Sequence, residues 1–154
     1  MIKLGIFLKL TWKMKMLLFE SYYYLGYARI LKSLPFVRVA PSLGEQMEET
    51  SVFPSLTDRQ QLRDISQAIH IASSYTLWES QCLVKAIAAM RMLERRKIES
   101  TLYLGTAKEK SGQLIAHAWL RSGPYYITGS EGMERFTVVS KFAKNICCKG
   151  ASDG

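Results

Sequence analysis

Apolar side chains recur at steps of three and four residues through the first part of the chain, which is the spacing of one face of an α-helix. Lysines mostly separate these residues, which are Leu4, Phe7, Leu8, Trp12, Met16 and Phe19. Four tyrosines between positions 22 and 27 extend the pattern into a second, aromatic helix, and Gly26 weakens its continuity. Pro35 is expected to end or kink the segment, because its ring blocks helical hydrogen bonding. The pattern therefore predicts helices over residues 3–33.

Two more helices are predicted after a stretch rich in proline, glycine and glutamate. Thr57 is a candidate cap for the first, with Gln60 three residues later, and a stripe follows of Leu62, Ile65, Ile69 and Ala72. Glu79 or Ser80 is the candidate cap for the second. Its buried face is predicted to consist of Leu83, Ala86, Ile87, Met90 and Leu93.

The apolar period then shortens to about two residues, which is typical of strands. Four strands are predicted, at residues 101–105, 114–121, 125–128 and 136–142. Turn residues separate the first three, at 108–112 and at Gly123-Pro124. Helices followed by an antiparallel sheet indicate the α+β class.

Basic residues are concentrated at the start of the chain. Of a formal net charge of +8, residues 1–40 hold seven basic residues and one acidic residue, which is +6. We predict a basic N-terminal helical segment at 1–40, a linker at 41–56, a core at 57–145 and a flexible tail at 146–154. The basic segment has three interpretations: a face packed on the core, a docking surface for an acidic partner, or a helix on an anionic membrane surface.

Composition narrows the functional classes. The chain of 154 residues has room for one compact domain, and it has no apolar run long enough to cross a membrane. The near-balanced charge after residue 40 speaks against a nucleic-acid partner. Cys147 and Cys148 are adjacent and lack metal-site spacing, and no glycine-rich phosphate loop is present. We expect a cytoplasmic protein with reduced thiols, no cofactor and no metal.

Cys82 and His117 are the residues best suited to chemistry. Cys82 begins a predicted helix, where free backbone N–H groups and the helix dipole stabilise a thiolate; the alternative is a small buried side chain. His117 lies in an apolar strand, on the predicted face of Ile115 and Trp119, and needs partners for its ring nitrogens. A thiolate could be one partner, and a backbone carbonyl is the alternative. A thiol with a histidine base is the pair that nucleophilic catalysis needs. His70 is interpreted as structural.

Several segments together resemble the maturation proteases of lasso peptides, the B2 type of the transglutaminase-like superfamily. They are residues 80–86 (SQCLVKA), 95–98 (RRKI), 101–105 (TLYLG), 116–120 (AHAWL) and 136–142 (FTVVSKF), with the basic helical region that ends at 34–36 (LPF). The resemblance covers roughly residues 10–145. It implies a transglutaminase- or papain-like core with the nucleophilic cysteine at a helix N-terminus.

The resemblance also implies a function. Such proteases cut the leader from a ribosomally made precursor, acting with a separate leader-binding recognition protein, and a cyclase then closes a macrolactam on the freed amine. Cys82 would be the nucleophile and His117 the general base and acid. The alternative is a catalytically inactive binding or scaffold protein of the same fold.

The remaining site assignments are more open. The Cys82 backbone N–H is a candidate oxyanion donor, Gln81 and Trp78 are candidates for a second, and Trp119 is a candidate for substrate contact. The family pattern has an acidic residue after the histidine strand, but residues 126–131 (YITGSE) have no aspartate. Thr128, Glu131 or a backbone carbonyl is expected to orient the imidazole instead.

Overall fold

Helices precede an antiparallel sheet in the computed structural model, which describes residues 4–53, 59–76 and 81–146. The helices are α1 (Leu4–Lys9), α2 (Trp12–Lys32), α3 (Phe36–Leu43), α4 (Arg59–Ser73) and α5 (Cys82–Arg95), with a 3₁₀ turn at Met133–Arg135. The strands are β1 (Glu45–Gln46), β2 (Ser100–Lys108), β3 (Leu114–Ser122), β4 (Tyr125–Thr128) and β5 (Thr137–Lys144). The predicted α+β class is confirmed.

All five strands form one antiparallel sheet in the order β1-β5-β2-β3-β4. The four predicted strands are present close to their expected positions. The fifth, β1, pairs Glu45 with Ala143 and was not predicted, because two residues show no period. The central pairing of β2 with β3 sets Gly105 opposite His117 and Leu102 opposite Leu120. That register places His117 at the end of β3 away from the β3–β4 turn.

Helix α5 is enclosed between α2 and α4 on one side and the sheet on the other. Leu25 of α2, Ile87 and Met90 of α5, and Leu102 and Leu120 of the sheet are fully buried in one core. Burying each such side chain contributes about 1.5–3 kcal/mol of stability. Because α5 is packed on several sides, its first residue is held at a defined place.

The N-terminal region differs in detail from the prediction. In place of the helical segment predicted at 3–33, residues 4–32 contain two helices separated at Thr11, whose hydroxyl accepts a hydrogen bond from the Met14 N–H over 3.3 Å. Helix α2 continues through Gly26 and ends at Lys32, before Pro35, as expected. The first part of the predicted linker at 41–56 is regular structure, since α3 and β1 extend to Gln46. Thr50, further along the same segment, is buried.

Some predictions fall outside the described residues. These are the cap at Thr57, the candidates Trp78, Glu79 and Ser80, and the tail with Cys147 and Cys148. Across the described ranges, every helix is either too short or too polar to span a membrane.

Candidate active site

Cys82 is the first residue of α5. Gln81 is the N-cap, with extended backbone angles (φ −70°, ψ 167°) and no hydrogen bond from its side chain. The cap is therefore one residue after Ser80, the later of the two predicted positions. In the first helical turn the N–H groups have no acceptor inside the helix, so the positive end of the α5 dipole lies at the thiol. Cys82 is a free, half-buried cysteine.

His117 is anchored through one ring nitrogen. Its Nε2 lies 2.7 Å from the Gly129 carbonyl oxygen, and the ring is half-buried. A carbonyl can only accept, so Nε2–H is the donor. In the neutral imidazole, Nδ1 is then the unprotonated nitrogen and is the atom that can take a proton.

Gly129 owes its place to the absence of a side chain. Its φ is +72°, and a Cβ there would collide with the Ala118 carbonyl oxygen and approach Trp119 Cα to 3.0 Å. The chain leaves β4 at Thr128 and lies close against the neighbouring strand β3 at this point. Only glycine allows that approach without strain, and the approach brings its carbonyl to the imidazole.

Aromatic rings fix the plane of the imidazole. The His117 ring centroid is 5.0 Å from that of Phe136 and 5.8 Å from that of Trp119. Gly105, opposite His117, leaves room for Phe136 and Trp119, because a Cβ there would lie 2.9 Å from Phe136 Cβ and 2.9 Å from the Trp119 ring. Trp119 is buried, stacks on the His117 ring and does not line the cavity described below. Its contact with substrate stays a prediction.

Cys82 and His117 line the same cavity, which has a volume of about 690 Å³. The chain from Tyr126 to Glu131 forms one wall, and residues of α4 form another. No hydrogen bond joins the Cys82 thiol to the His117 ring in this conformation. Catalytic hydrogen bonds often tighten only when substrate is bound. The arrangement places a thiol at a helix N-terminus and an anchored imidazole on one shared cleft.

Neither side chain proposed to orient His117 does so here. Thr128 and Glu131 both line the cavity, yet Nε2–H donates its hydrogen bond to the Gly129 carbonyl between them. The Thr128 hydroxyl is buried and has no hydrogen-bond partner among the described residues. The geometry matches the third alternative, a backbone carbonyl. Gln81 serves as N-cap and is not in the lining, and Trp78 lies outside the described residues.

A family model described as the transglutaminase-like superfamily matches residues 25–141, which is most of the chain and includes Cys82 and His117. The chain belongs to the transglutaminase-like superfamily. Members of this superfamily are generally cysteine proteases or transglutaminases. Neither the comparison with curated proteins nor the comparison with solved structures finds a match.

Sequence reasoning missed the wall that α4 contributes to this transglutaminase-like domain. Arg63, Gln67 and His70 line the cavity, at the spacing of one helix face, and Lys85 of α5 joins them. His70, interpreted as structural, is exposed to the cleft instead. The available signal was the polar side of α4 opposite its Leu62 stripe. Within the described ranges, no group of three or more His, Cys, Asp or Glu side chains could hold a metal ion.

A partly buried polar network lies on the same face of the sheet beyond Trp119. The Tyr103 ring stacks on Trp119 at 5.6 Å, and its hydroxyl donates to Glu49 Oε1 over 2.7 Å. Arg121 Nε donates to the Tyr103 hydroxyl over 2.9 Å, and its other nitrogens donate to the carbonyls of Thr50 and Ser51. Burial, followed by the bond to Glu49, raises the pKa of Tyr103 to about 12. The bond from Tyr103 is the main cause that lowers the pKa of Glu49.

Proposed function

We propose that this protein is a cysteine peptidase that removes the leader from a ribosomally synthesised lasso-peptide precursor, working with a separate leader-binding recognition protein. The observation that carries the chemistry is the shared cleft of Cys82, at the α5 N-terminus, and His117, anchored on the Gly129 carbonyl. Family membership supports a thiol-dependent enzyme. The leader-peptide substrate rests on the segments that resemble lasso-peptide proteases.

In the proposed reaction, His117 Nδ1 takes the Cys82 thiol proton, and the sulfur attacks the scissile carbonyl carbon. The oxyanion forms next to the α5 N-terminus, where the Cys82 N–H is the candidate donor. The imidazolium then protonates the leaving amine, which frees the core peptide. Water, deprotonated by His117, hydrolyses the remaining thioester and releases the leader as a carboxylate.

The Gly129 carbonyl accepts the His117 hydrogen bond that the family pattern gives to a carboxylate, and this changes how strongly protonated His117 is stabilised. It holds the same ring orientation and the same tautomer, because it accepts the Nε2 hydrogen bond. It carries no full negative charge, so it stabilises the imidazolium less than an aspartate does. We therefore expect a competent but slower base than in relatives with an acidic residue.

The test is leader release in a defined mixture. Purified protein, recognition protein and precursor are combined, and peptide masses are followed over time. We expect wild type to release the leader and Cys82→Ala to release none. Gln113→Ala, in the exposed β2–β3 turn, is the matched control and should act at the wild-type rate. Leader release by Cys82→Ala at the wild-type rate would overturn the proposal.

A catalytically inactive scaffold is the second candidate, and the absence of a hydrogen bond between the Cys82 thiol and His117 favours it. Alkylation rates of Cys82 separate the two, measured in a Cys147→Ser/Cys148→Ser background so that one thiol reports. Rapid alkylation that slows in His117→Ala supports the enzyme. Alkylation at the rate of an ordinary free thiol, unchanged by His117→Ala, supports the scaffold.

A further inference from the structure

Helix α2 is apolar on two opposite sides. One side faces the core through Leu17, Leu18, Leu25 and Ala28. The other side is exposed to solvent and consists of Trp12, Met16, Phe19, Tyr23, Tyr27 and Ile30. These six, which we call the exposed stripe, follow one another at steps of four, three, four, four and three residues. At 3.6 residues per turn they occupy a band about 80° wide and about 27 Å long.

The exposed stripe is large for a surface that meets only water. Its side chains are between 36% and 75% exposed, and single exposed apolar residues would be ordinary. A contiguous row of six, three of them tyrosine or tryptophan, marks an interaction surface instead. A helix that is apolar on its outer side as well as on its core side normally has a partner on both.

Helix α1 extends this surface at its N-terminal end. Phe7 packs edge-on against Phe19 at 6.4 Å, which folds α1 back along α2. Leu4, Ile6 and Leu8 of α1 are exposed. Helix α1 therefore adds exposed apolar side chains next to the N-terminal end of the exposed stripe.

The surrounding charge indicates what covers this face. Residues 4–19 contain Lys9, Lys13 and Lys15 and no acidic residue. Lys13 is paired with Asp64 of α4 over 3.0 Å, so Lys9 and Lys15 are the lysines that the proposed surface uses. Glu20 is the only acidic residue of α2, and its carboxylate, 10% exposed, is paired with Arg95 and Arg96. A second copy of this chain would bring like charges together, whereas anionic lipid headgroups complement the lysines. Tryptophan and tyrosine, apolar with one polar atom, suit the boundary between headgroups and acyl chains.

We propose that α1 and the exposed stripe dock on an anionic membrane surface, with α2 lying in its plane. The aromatic side chains insert between headgroups, and the lysines contact lipid phosphates. No residue of α1 or α2 lines the cavity that contains Cys82, so that cleft stays open to solvent in the docked protein. The proposal does not depend on the substrate of that cleft.

Sedimentation with vesicles tests the proposal. The full chain is mixed with vesicles of phosphatidylcholine alone, or with one third phosphatidylglycerol, at low and high salt. We expect sedimentation with the anionic vesicles, at least about tenfold weaker with the neutral ones and weaker at high salt. Phe19→Ser/Tyr23→Ser and Lys9→Glu/Lys15→Glu should each lower binding at least about tenfold.

Matched variants on the sheet provide the control. Leu114→Ser/Val139→Ser removes two side chains of similar exposure, and Lys108→Glu/Lys110→Glu reverses two other charges; both should bind as wild type does. Circular dichroism melting verifies that each variant folds. Failure of wild type to bind anionic vesicles overturns the proposal. So does a dimer, seen by light scattering, that the stripe variants dissociate, or binding confined to an acidic recognition protein.

Discussion

At the scale of single residues, His117 is anchored by a main-chain atom, the Gly129 carbonyl oxygen. Truncating a side chain cannot remove this atom, so the test is a substitution that shifts the backbone at Gly129. Gly129→Ala adds a methyl group that collides with the Ala118 carbonyl. We expect it to lower leader release more than tenfold, because the carbonyl must move away from Nε2, and to lower the free energy of unfolding by about 1–3 kcal/mol.

Gly132→Ala is the matched control for that variant. Gly132 has nearly the same φ, +71°, but a Cβ there meets nothing within 4 Å. We expect Gly132→Ala to lower the free energy of unfolding by about 1 kcal/mol and to change leader release little. Equal effects of the two variants on leader release would show that the Gly129 carbonyl is not needed.

The Thr128 hydroxyl offers a second test at this scale. It is buried without a partner, so Thr128→Val exchanges an unsatisfied polar atom for a methyl group of similar shape. We expect leader release within about twofold of wild type and a free energy of unfolding that is unchanged or higher by about 1 kcal/mol. A tenfold fall in rate, with the fold intact by circular dichroism, would make this hydroxyl the orienting group.

The raised pKa of Tyr103 predicts that the folded protein loses stability at alkaline pH. Its pKa is about 12 in the folded protein and 10.0 by default, so between these values the unfolded chain releases a proton that the folded chain keeps. Unfolding therefore becomes easier as the pH rises from 10 to 12, by on the order of 2 kcal/mol. Urea unfolding of wild type and Tyr103→Phe measures this, and the stability difference between them should shrink over that range. A constant difference would contradict the assignment.

At the scale of elements, the basic helix α2 is joined to the C-terminal end of α5, the helix that begins with Cys82, by a half-buried ion pair. Glu20 accepts two hydrogen bonds of 2.7 Å from Arg96. Glu20→Ala should lower the free energy of unfolding by about 1–3 kcal/mol, because Arg96 is left without its partner in a partly buried site. Leader release by the folded variant should be retained.

The control is a second ion pair, between the same helix and α4, in which one partner is largely exposed. Lys13 bonds to Asp64 over 3.0 Å, and Lys13 is largely exposed. Lys13→Ala should change the free energy of unfolding by less than about 1 kcal/mol. Equal losses for Lys13→Ala and Glu20→Ala in chemical denaturation would mean that burial of the α2–α5 pair contributes nothing.

At the scale of the whole molecule, the proposed catalytic and membrane surfaces are formed by different elements. The cleft belongs to α4, α5 and the β3–β4 region, and the exposed stripe belongs to α2. We therefore predict that Cys82→Ala binds anionic vesicles as wild type does. In the absence of lipid, Phe19→Ser/Tyr23→Ser should release the leader at the wild-type rate. Loss of leader release in that stripe variant, with its fold intact, would show that the two surfaces are coupled.

Periodicity in the sequence determined most of the architecture. The positions of α2, α4 and α5, the four longer strands and the α+β class followed from it, because burial of one face imposes a period of 3.6 or 2 on apolar residues. The position of Cys82 at a helix start and of His117 on a strand face were predictable for the same reason. The two-residue strand β1 was not, because it is too short to show a period.

Contacts between distant segments were decided only by the tertiary structure. The carbonyl of Gly129 carries no sequence signal, since every residue has one. It becomes the partner of His117 because the backbone at Gly129 lies so close to β3 that a Cβ there would be 3.0 Å from Trp119 Cα. The α4 wall of the cleft and the solvent exposure of the α2 stripe also depend on which elements pack against each other. Residue type determines what a side chain can do, whereas the packing of elements far apart in the chain determines what it meets.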